Sequence, residues 1–287
     1  MTATSRVGIF SKPHSQKARE VVPHLIDWLL ERSIDIRMDE ETAQYAGLPD
    51  GLSRESVPDG CKLIVVLGGD GTMLSAARAI GGREIPLFAV NLGNLGFLTA
   101  ITVEDLFPEL ERALAGEHRV SKRRMLHIEL LRDGRVAADY EALNDVVVTK
   151  ASIARMIEVD AYVNQKFMCA YRADGLIISS PTGSTAYSLS AGGPIVYPTV
   201  EACCITPICP HTLTNRPVIV PSDMLISIVN LAADDAAFLT VDGQVGEPLR
   251  EGDRIDCSRS EYFLHLIRPP QKAFFDVLRQ KLKWGES

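Results

Sequence analysis

The run Leu63-Ile64-Val65-Val66-Leu67 ends in Gly68-Gly69-Asp70-Gly71-Thr72, three glycines wrapped around one aspartate. Short, β-branched and uncharged, the run reads as a buried central strand. Helical periodicity resumes at Met73, so Gly68 to Thr72 reads as a strand-to-helix turn. Turns of this kind bind phosphate, because glycine lets backbone N–H groups approach an anion and the helix behind adds its positive N-terminal end. Asp70 is the misfit. A carboxylate repels phosphate, so beside one it must hold a metal, accept a proton or cap the helix. Taken alone, the loop fits a plain capped turn as well as a phosphate cradle.

The neighbouring residues repeat the strand-then-helix theme. Arg6 to Phe10 reads as a first strand, and Ser15 offers an N-cap to a helix with Val22, Leu25, Ile26, Leu29 and Leu30 at helical spacing, which Pro23 is placed to delay or kink. Ile34 to Met38 suggests a second strand and Gly47 to Gly60 a turn-rich connection. After the glycine loop, a helix from Met73 to Ile80 stops at Gly81-Gly82. Pro86 to Val90 is the next strand and runs into Asn91-Leu92-Gly93-Asn94-Leu95-Gly96-Phe97-Leu98-Thr99. Thr102 then caps a helix through Leu106, Leu110 and Leu114 to Gly116. This alternation makes residues 1–116 an α/β domain with an open, mostly parallel sheet covered by helices. Ligands of such sheets gather at the carboxyl ends of strands, where both glycine-rich loops fall.

After Gly116 the pattern changes to strands separated by turn signals, so residues 117–268 read as a β-rich domain. A hairpin, Met125 to Leu131 and Arg135 to Leu143, turns at Asp133-Gly134. Val146 to Thr149, Met156 to Val163, Lys166 to Tyr171, Leu176 to Ser179, Val218 to Val220, Leu225 to Val229, Phe238 to Val241 and Tyr262 to Ile267 continue it, with one helix opening near Gly183. In the last segment, 269–287, the stretch Lys272 to Trp284 is amphipathic, with Phe275, Leu278 and Leu282 at helical spacing, and is expected to dock on one of the domains.

Composition narrows the partners. Thirty basic against thirty-seven acidic residues leave a net charge of -7, which provides no electrostatic footprint for nucleic acid or an anionic membrane. The one basic cluster, Lys122-Arg123-Arg124, reads as a solvated face or a local anion site. No signal-peptide core and no long apolar span occur, so a cytoplasmic protein is expected. The six cysteines read as reduced, packed thiols; Cys203, Cys204, Cys209 and His211 cluster but match no familiar zinc spacing. No glycine is followed by lysine, which excludes a Walker A loop, and Gly69-x-Gly71 does not extend to the dinucleotide fingerprint. Zinc-protease, protein-kinase and serine-hydrolase signatures are also absent.

Two further stretches carry chemistry. From Asp174 to Pro194 a strand ends at Ser179, and a turn rich in hydroxyls and glycine follows, a combination that suits a nucleotide as well as a routine helix cap. Asn144-Asp145 precedes the strand Val146-Val147-Val148; an adjacent amide and carboxylate can hold the two hydroxyls of a ribose, or form an Asx turn.

Taken together, Gly68-Gly69-Asp70-Gly71-Thr72, Asn91-Leu92-Gly93 through Gly96-Phe97-Leu98, Leu143-Asn144-Asp145, and Asp174-Gly175 through Thr182-Gly183-Ser184-Thr185-Ala186-Tyr187 with Gly192-Gly193-Pro194 resemble the bacterial NAD kinases, in motif order and over most of the chain. The Gly-Gly-Asp-Gly loop is shared with phosphofructokinases and with diacylglycerol or sphingosine kinases; the Pro-Thr-Gly-Ser-Thr-Ala-Tyr segment is far more specific. The resemblance implies ATP-dependent phosphorylation of the 2′-hydroxyl of the adenosine ribose of NAD, with a divalent metal such as Mg²⁺. It further implies a C-terminal segment returning to the first domain and a homodimer or homotetramer. Asp70 then matches the base. Gly68, Gly69, Gly71, Thr72, Phe97, Asn144, Asp145, Arg172, Asp174, Thr182, Thr185, Ala186, Tyr187, Ser190 and Gln244 are the expected nucleotide-binding residues, and no residue is assigned to the metal. Sites of this family can borrow residues from a neighbouring subunit, which bears on Asp174. Many members carry glutamate at the position of Asp145; the shorter side chain keeps the charge and loses a methylene of reach. Val241-Asp242-Gly243-Gln244 matches a late family motif to which no role is assigned. The rival readings are a lipid or sugar kinase using the same loop, and a non-catalytic NAD(H)-binding sensor.

Overall fold

A computed structural model describes residues 6–93, 95–151, 156–233, 236–269 and 273–284. Met1 to Ser5, Asn94 of the second glycine loop and Lys272 of the tail lie outside the described residues. The chain divides into two compact units, Met1–Lys122 with Leu264–Ser287, and Arg123–Phe263.

The first unit opens β1 (Arg6–Ser11), α1 (Gln16–Glu31), β2 (Asp35–Met38), α2 (Glu40–Tyr45), β3 (Leu63–Gly68), α3 (Asp70–Ile80), β4 (Leu87–Asn91) and α4 (Leu106–Leu114). Its strands lie in the order β2-β1-β3-β4, all parallel. β3 is buried at every position, as an uncharged run with a neighbour on each side requires. Val7, Ile9, Val65, Leu67, Phe88 and Val90 pack with Leu25 and Leu29 of α1 and Leu106 and Leu110 of α4 in one core. Ser15 caps α1 through its side chain, and the helix runs on through Pro23 without a delayed start. The glycine turn is shorter than the periodicity suggests. α3 begins at Asp70 with Gly69 as its N-cap, because a carboxylate in a first turn is favoured by the helix dipole and Thr72 buries against Gly68.

The second unit is built from β5 (Arg119–Arg132, its last ten residues), β6 (Arg135–Ala142), β7 (Asp145–Lys150), β8 (Ile157–Val163), β9 (Lys166–Ala173), β10 (Gly175–Ser179), a 3₁₀ turn (Gly183–Thr185), α5 (Tyr187–Ser190), β11 (Ala202–Ile208), β12 (Val218–Pro221), β13 (Ile226–Asn230), β14 (Ala237–Val241), β15 (Val245–Leu249) and β16 (Arg254–Arg268), which belongs to this unit as far as Phe263. Six of these form an antiparallel sheet, β12-β11-β10-β7-β14-β15. Asp133 and Gly134 both have positive φ and close the expected β5–β6 hairpin. The single helix expected near Gly183 is instead a 3₁₀ turn followed by the four residues of α5.

Within the first unit, β16 pairs parallel to β4 through Leu266 and Leu87, Ile267 enters the core, and α6 (Phe274–Leu282) follows. No helix among the described residues is long and apolar enough to cross a membrane.

Candidate active site

The first unit carries the glycine loops. The Leu92 N–H donates to the Gly68 carbonyl at 3.0 Å, so the ends of β3 and β4 lie side by side. Asp70 does not cap its own helix. Its Oδ2 accepts the Phe97 N–H at 2.9 Å, and its Oδ1 accepts the Leu98 N–H at 3.1 Å and the Thr99 hydroxyl at 3.2 Å. Gly96 permits this grip, since a Cβ there would stand 2.0 Å from Asp70 Oδ1. The loop is braced from behind by the C-terminal segment, where Arg268 Nη2 donates to the Phe97 carbonyl at 3.0 Å and the Lys281 ammonium lies 5.9 Å from the Phe97 ring centre. Sequence reasoning missed both residues. A cavity of about 290 Å³ at the carboxyl end of β4 is lined by Lys17, Asn91, Gly93, Leu95, Thr102 and Gln280.

The glycines of the loop serve different ends. A Cβ on Gly68 would meet Thr72 Oγ1 at 2.3 Å, whereas one on Gly69 or Gly71 would meet open space. The fold therefore requires Gly68, and it does not require Gly71. Gly68→Ala is expected to cost about 1–3 kcal/mol of stability through overpacking. Gly71→Ala in the first turn of α3 should leave stability equal or raise it by up to about 1 kcal/mol, while weakening the hold of the turn on a phosphate. Thermal unfolding and titration with a phosphate-bearing ligand separate these effects in the two variants.

The second unit brings the Asn144-Asp145 segment against the loop that carries Thr182 and Thr185, while Gln244 lies in the β14–β15 turn. Ser180 donates its N–H and its hydroxyl to the carbonyls of Asn144 and Leu143, and in turn accepts the Gly183 N–H. A Cβ on Gly183 would stand 2.0 Å from the Asn144 carbonyl oxygen, so only glycine lets the two loops touch. From the β14–β15 turn, the Asp242 carboxylate accepts the backbone N–H groups of Leu143, Asn144 and Asp145 at 2.9, 2.7 and 3.1 Å. That is the role of the late motif. Asp242 and Gly243 adopt positive φ to make the turn, and β14 pairs β7 with Val241 opposite Val146. Asp242→Ala strips the acceptor from three N–H groups and should cost on the order of 2 kcal/mol or more. It should weaken ligand binding at these loops more than it lowers turnover, as steady-state kinetics would read.

Asp145 is only 4% exposed. Burial, and then the charge of Asp242, push its carboxyl up to about 7. The hydroxyls of Ser179 and Thr182 are buried with no hydrogen-bond partner among the described residues. Ser179 lies opposite Asp145 in the sheet. Orphaned hydroxyls next to a desolvated carboxyl form a place whose hydrogen-bonding capacity a polyhydroxylated ligand would fill. Tyr187 is 44% exposed, an open aromatic face a few residues away.

The remaining expected residues stand elsewhere. Arg172 pairs with Glu158 at 3.0 Å, and Asp174 with Lys150 at 2.7 Å. Both precede β10, whose opposite end is Ser179, so one copy of the unit does not gather them with Asn144 and Thr182. Ser190 is exposed at the end of α5. The basic cluster resolves locally: the Arg124 guanidinium reaches Glu201 at 3.3 Å and stacks 3.8 Å from the Phe263 ring.

Among the described residues, no grouping with metal-ligand spacing includes Asp70, whose oxygens accept three protein donors. Mg²⁺ needs none when it arrives on nucleotide phosphates. Among the described residues, the grouping with ligand spacing is His127, Glu129 and Asp139 on the β5–β6 hairpin. The cysteines are free thiols. Cys203 is buried in the core of the second unit, where burial pushes its thiol up to about 12, and Cys209 is exposed.

Comparison with known proteins matches both units. Residues 7–118 match the family model of the ATP-NAD kinase N-terminal domain, and residues 143–269 that of the ATP-NAD kinase C-terminal domain. The chain is 61% identical over 286 residues to the NAD kinase of Solibacter usitatus, with 100% of each covered, and 47% identical to that of Koribacter versatilis, with 98% of each covered. Among solved structures it is similar to yeast NADH kinase complexed with NADH (TM-score 0.92, 25% identity, 99% of this chain and 89% of that one). It is also similar to an NAD kinase from Archaeoglobus fulgidus in complex with ATP (TM-score 0.78, 25% identity, 97% and 98%). An aspartate gripped at the head of a glycine turn and a stitched pair of polar loops thus occur here in a chain that matches one family along nearly its whole length, and the chain belongs to the NAD kinases.

Proposed function

We propose that this enzyme transfers the γ-phosphoryl group of ATP to the 2′-hydroxyl of the adenosine ribose of NAD, giving NADP and ADP. Phosphoryl transfer asks the protein for positioning and charge stabilisation more than for covalent chemistry. The Gly68–Thr72 turn with the N-terminal end of α3 holds the ATP phosphates, which arrive as the Mg²⁺ complex. The ion supplies charge neutralisation. Asp70 accepts the proton of the attacking hydroxyl. Asn144 and Asp145 hold the ribose hydroxyls, Ser179 and Thr182 satisfy their buried hydroxyls on the same ligand, and Tyr187 stacks on the base.

The observation that carries this reading is the buried, under-satisfied group of Asp145, Ser179 and Thr182 in a chain that also keeps a carboxylate at the glycine turn. A sensor of NAD(H) would need the first and not the second. Arg172 and Asp174, at the far end of β10, serve a site completed by a second copy of the chain, and the working form is a homodimer or homotetramer in the cytoplasm. Purified protein incubated with ATP, Mg²⁺ and NAD should produce NADP, read by an NADP-specific dehydrogenase. ATP consumed instead with diacylglycerol or fructose 6-phosphate would replace this reading.

A further inference from the structure

Asp70 is held by a directed chain of hydrogen bonds that begins at the end of β4. The Gly93 N–H, which can only donate, meets the Asn91 side chain at 2.7 Å. That contact fixes the carbonyl oxygen of the amide there and turns its Nδ2 toward Thr99 Oγ1, 2.8 Å away. A threonine hydroxyl has a single proton. Because Asn91 donates to it, that proton is directed to the other acceptor within reach, Asp70 Oδ1 at 3.2 Å. Thr99 is 0% exposed, so water does not compete for its hydroxyl. Oδ1 has two donors, from Leu98 and Thr99, while Oδ2 has one among the described residues, the Phe97 N–H.

We propose that Asn91 and Thr99 are positioning residues for the phosphoryl transfer: the amide–hydroxyl–carboxylate chain locks Asp70 and leaves Oδ2 as the oxygen that receives the proton. The step balances as follows. The O–H bond of the 2′-hydroxyl breaks and its proton bonds to Oδ2. The hydroxyl oxygen bonds to the γ-phosphorus, and the bond from that phosphorus to the β–γ bridging oxygen breaks as ADP leaves. This inference rests on the reading of Asp70 as the base.

The sharpest test reverses the polarity of the chain without changing its shape. In Asn91→Asp the carboxylate still accepts the Gly93 N–H, but it offers Thr99 only acceptors. The threonine proton then turns to residue 91 and its lone pairs face Asp70. Thr99→Val removes the proton outright. Both should lower kcat about ten- to a hundredfold, the usual range for a lost hydrogen bond to a charged group, with KM for NAD and ATP within about twofold of wild type. Thr99→Ser, which keeps the hydroxyl, should recover most of the rate lost in Thr99→Val; a merely structural role for the buried methyl would deny that rescue. If Thr99→Val does not fold, Asn91→Asp decides by the same criterion. Wild-type kcat in Asn91→Asp, or a loss confined to KM, overturns the positioning role. Asp70→Asn run alongside separates the two levels: inactive Asp70→Asn with fully active Asn91→Asp leaves the base and removes the chain, whereas active Asp70→Asn removes the base itself.

Discussion

Asp70→Asn should lower kcat by about a hundred- to ten-thousandfold, the range in which a positioned general base contributes. The substitution is nearly isosteric and uncharged, and Asp70 lies outside the loops of the second unit that are assigned to NAD. The KM for NAD should therefore hardly change, so kcat/KM falls in step with kcat. The amide can still accept from Phe97 or Leu98 through one oxygen, but its nitrogen faces donors. Some local loosening of residues 97–99 is expected, and circular dichroism will show whether the fold persists. Steady-state kinetics with independent NAD binding by calorimetry checks the result.

Asp145→Asn should make the protein more stable and a poorer enzyme. Burial and the neighbouring Asp242 raise the Asp145 carboxyl to about 7, above its value in the unfolded chain. The folded state thus binds a proton that the unfolded chain has released. The penalty is absent below about pH 4, grows as pH rises through the interval, and is complete above 7. A shift of this size corresponds to roughly 4 kcal/mol at most. Replacing the carboxylate removes that penalty, so the gain in Tm should be largest near pH 8 and vanish near pH 4. NAD affinity should fall about ten- to a hundredfold, because one of two acceptors for ribose hydroxyls becomes a donor. In the wild type, KM for NAD should rise as pH drops below 7 and the carboxylate is neutralised. Thermal unfolding at several pH values, paired with NAD titration, tests both halves; a variant destabilised at pH 8 would contradict them. Stability gained as function is lost marks a group retained for its chemistry.

The central strand, the two glycine loops and the Asn144-Asp145 pair were legible because each is local: an apolar run, a turn composition, an amide beside a carboxylate. Asp242 was visible only as an unassigned motif, since its task depends on the register of β14 against β7 and on an acceptor 98 residues from Asn144. The Asn91–Thr99 chain was hidden for a related reason, as hydrogen-bond direction follows from geometry and not from composition. β11 and β15 went unread, each carrying a proline, Pro207 and Pro248, in a segment that pairs regularly. Residues that sit together in the motif order, Asp174 and Thr182, are separated by the full length of β10, because a strand carries its two ends to opposite edges of a sheet.

The most direct measurement follows ADP and NADP in one reaction with purified enzyme, Mg²⁺, ATP and NAD, and locates the new phosphate on the dinucleotide by ³¹P NMR. The account predicts one NADP for each ADP, with the phosphate on the 2′-oxygen of the adenosine ribose. ADP formed without NADP, or a phosphate on another hydroxyl, would contradict it.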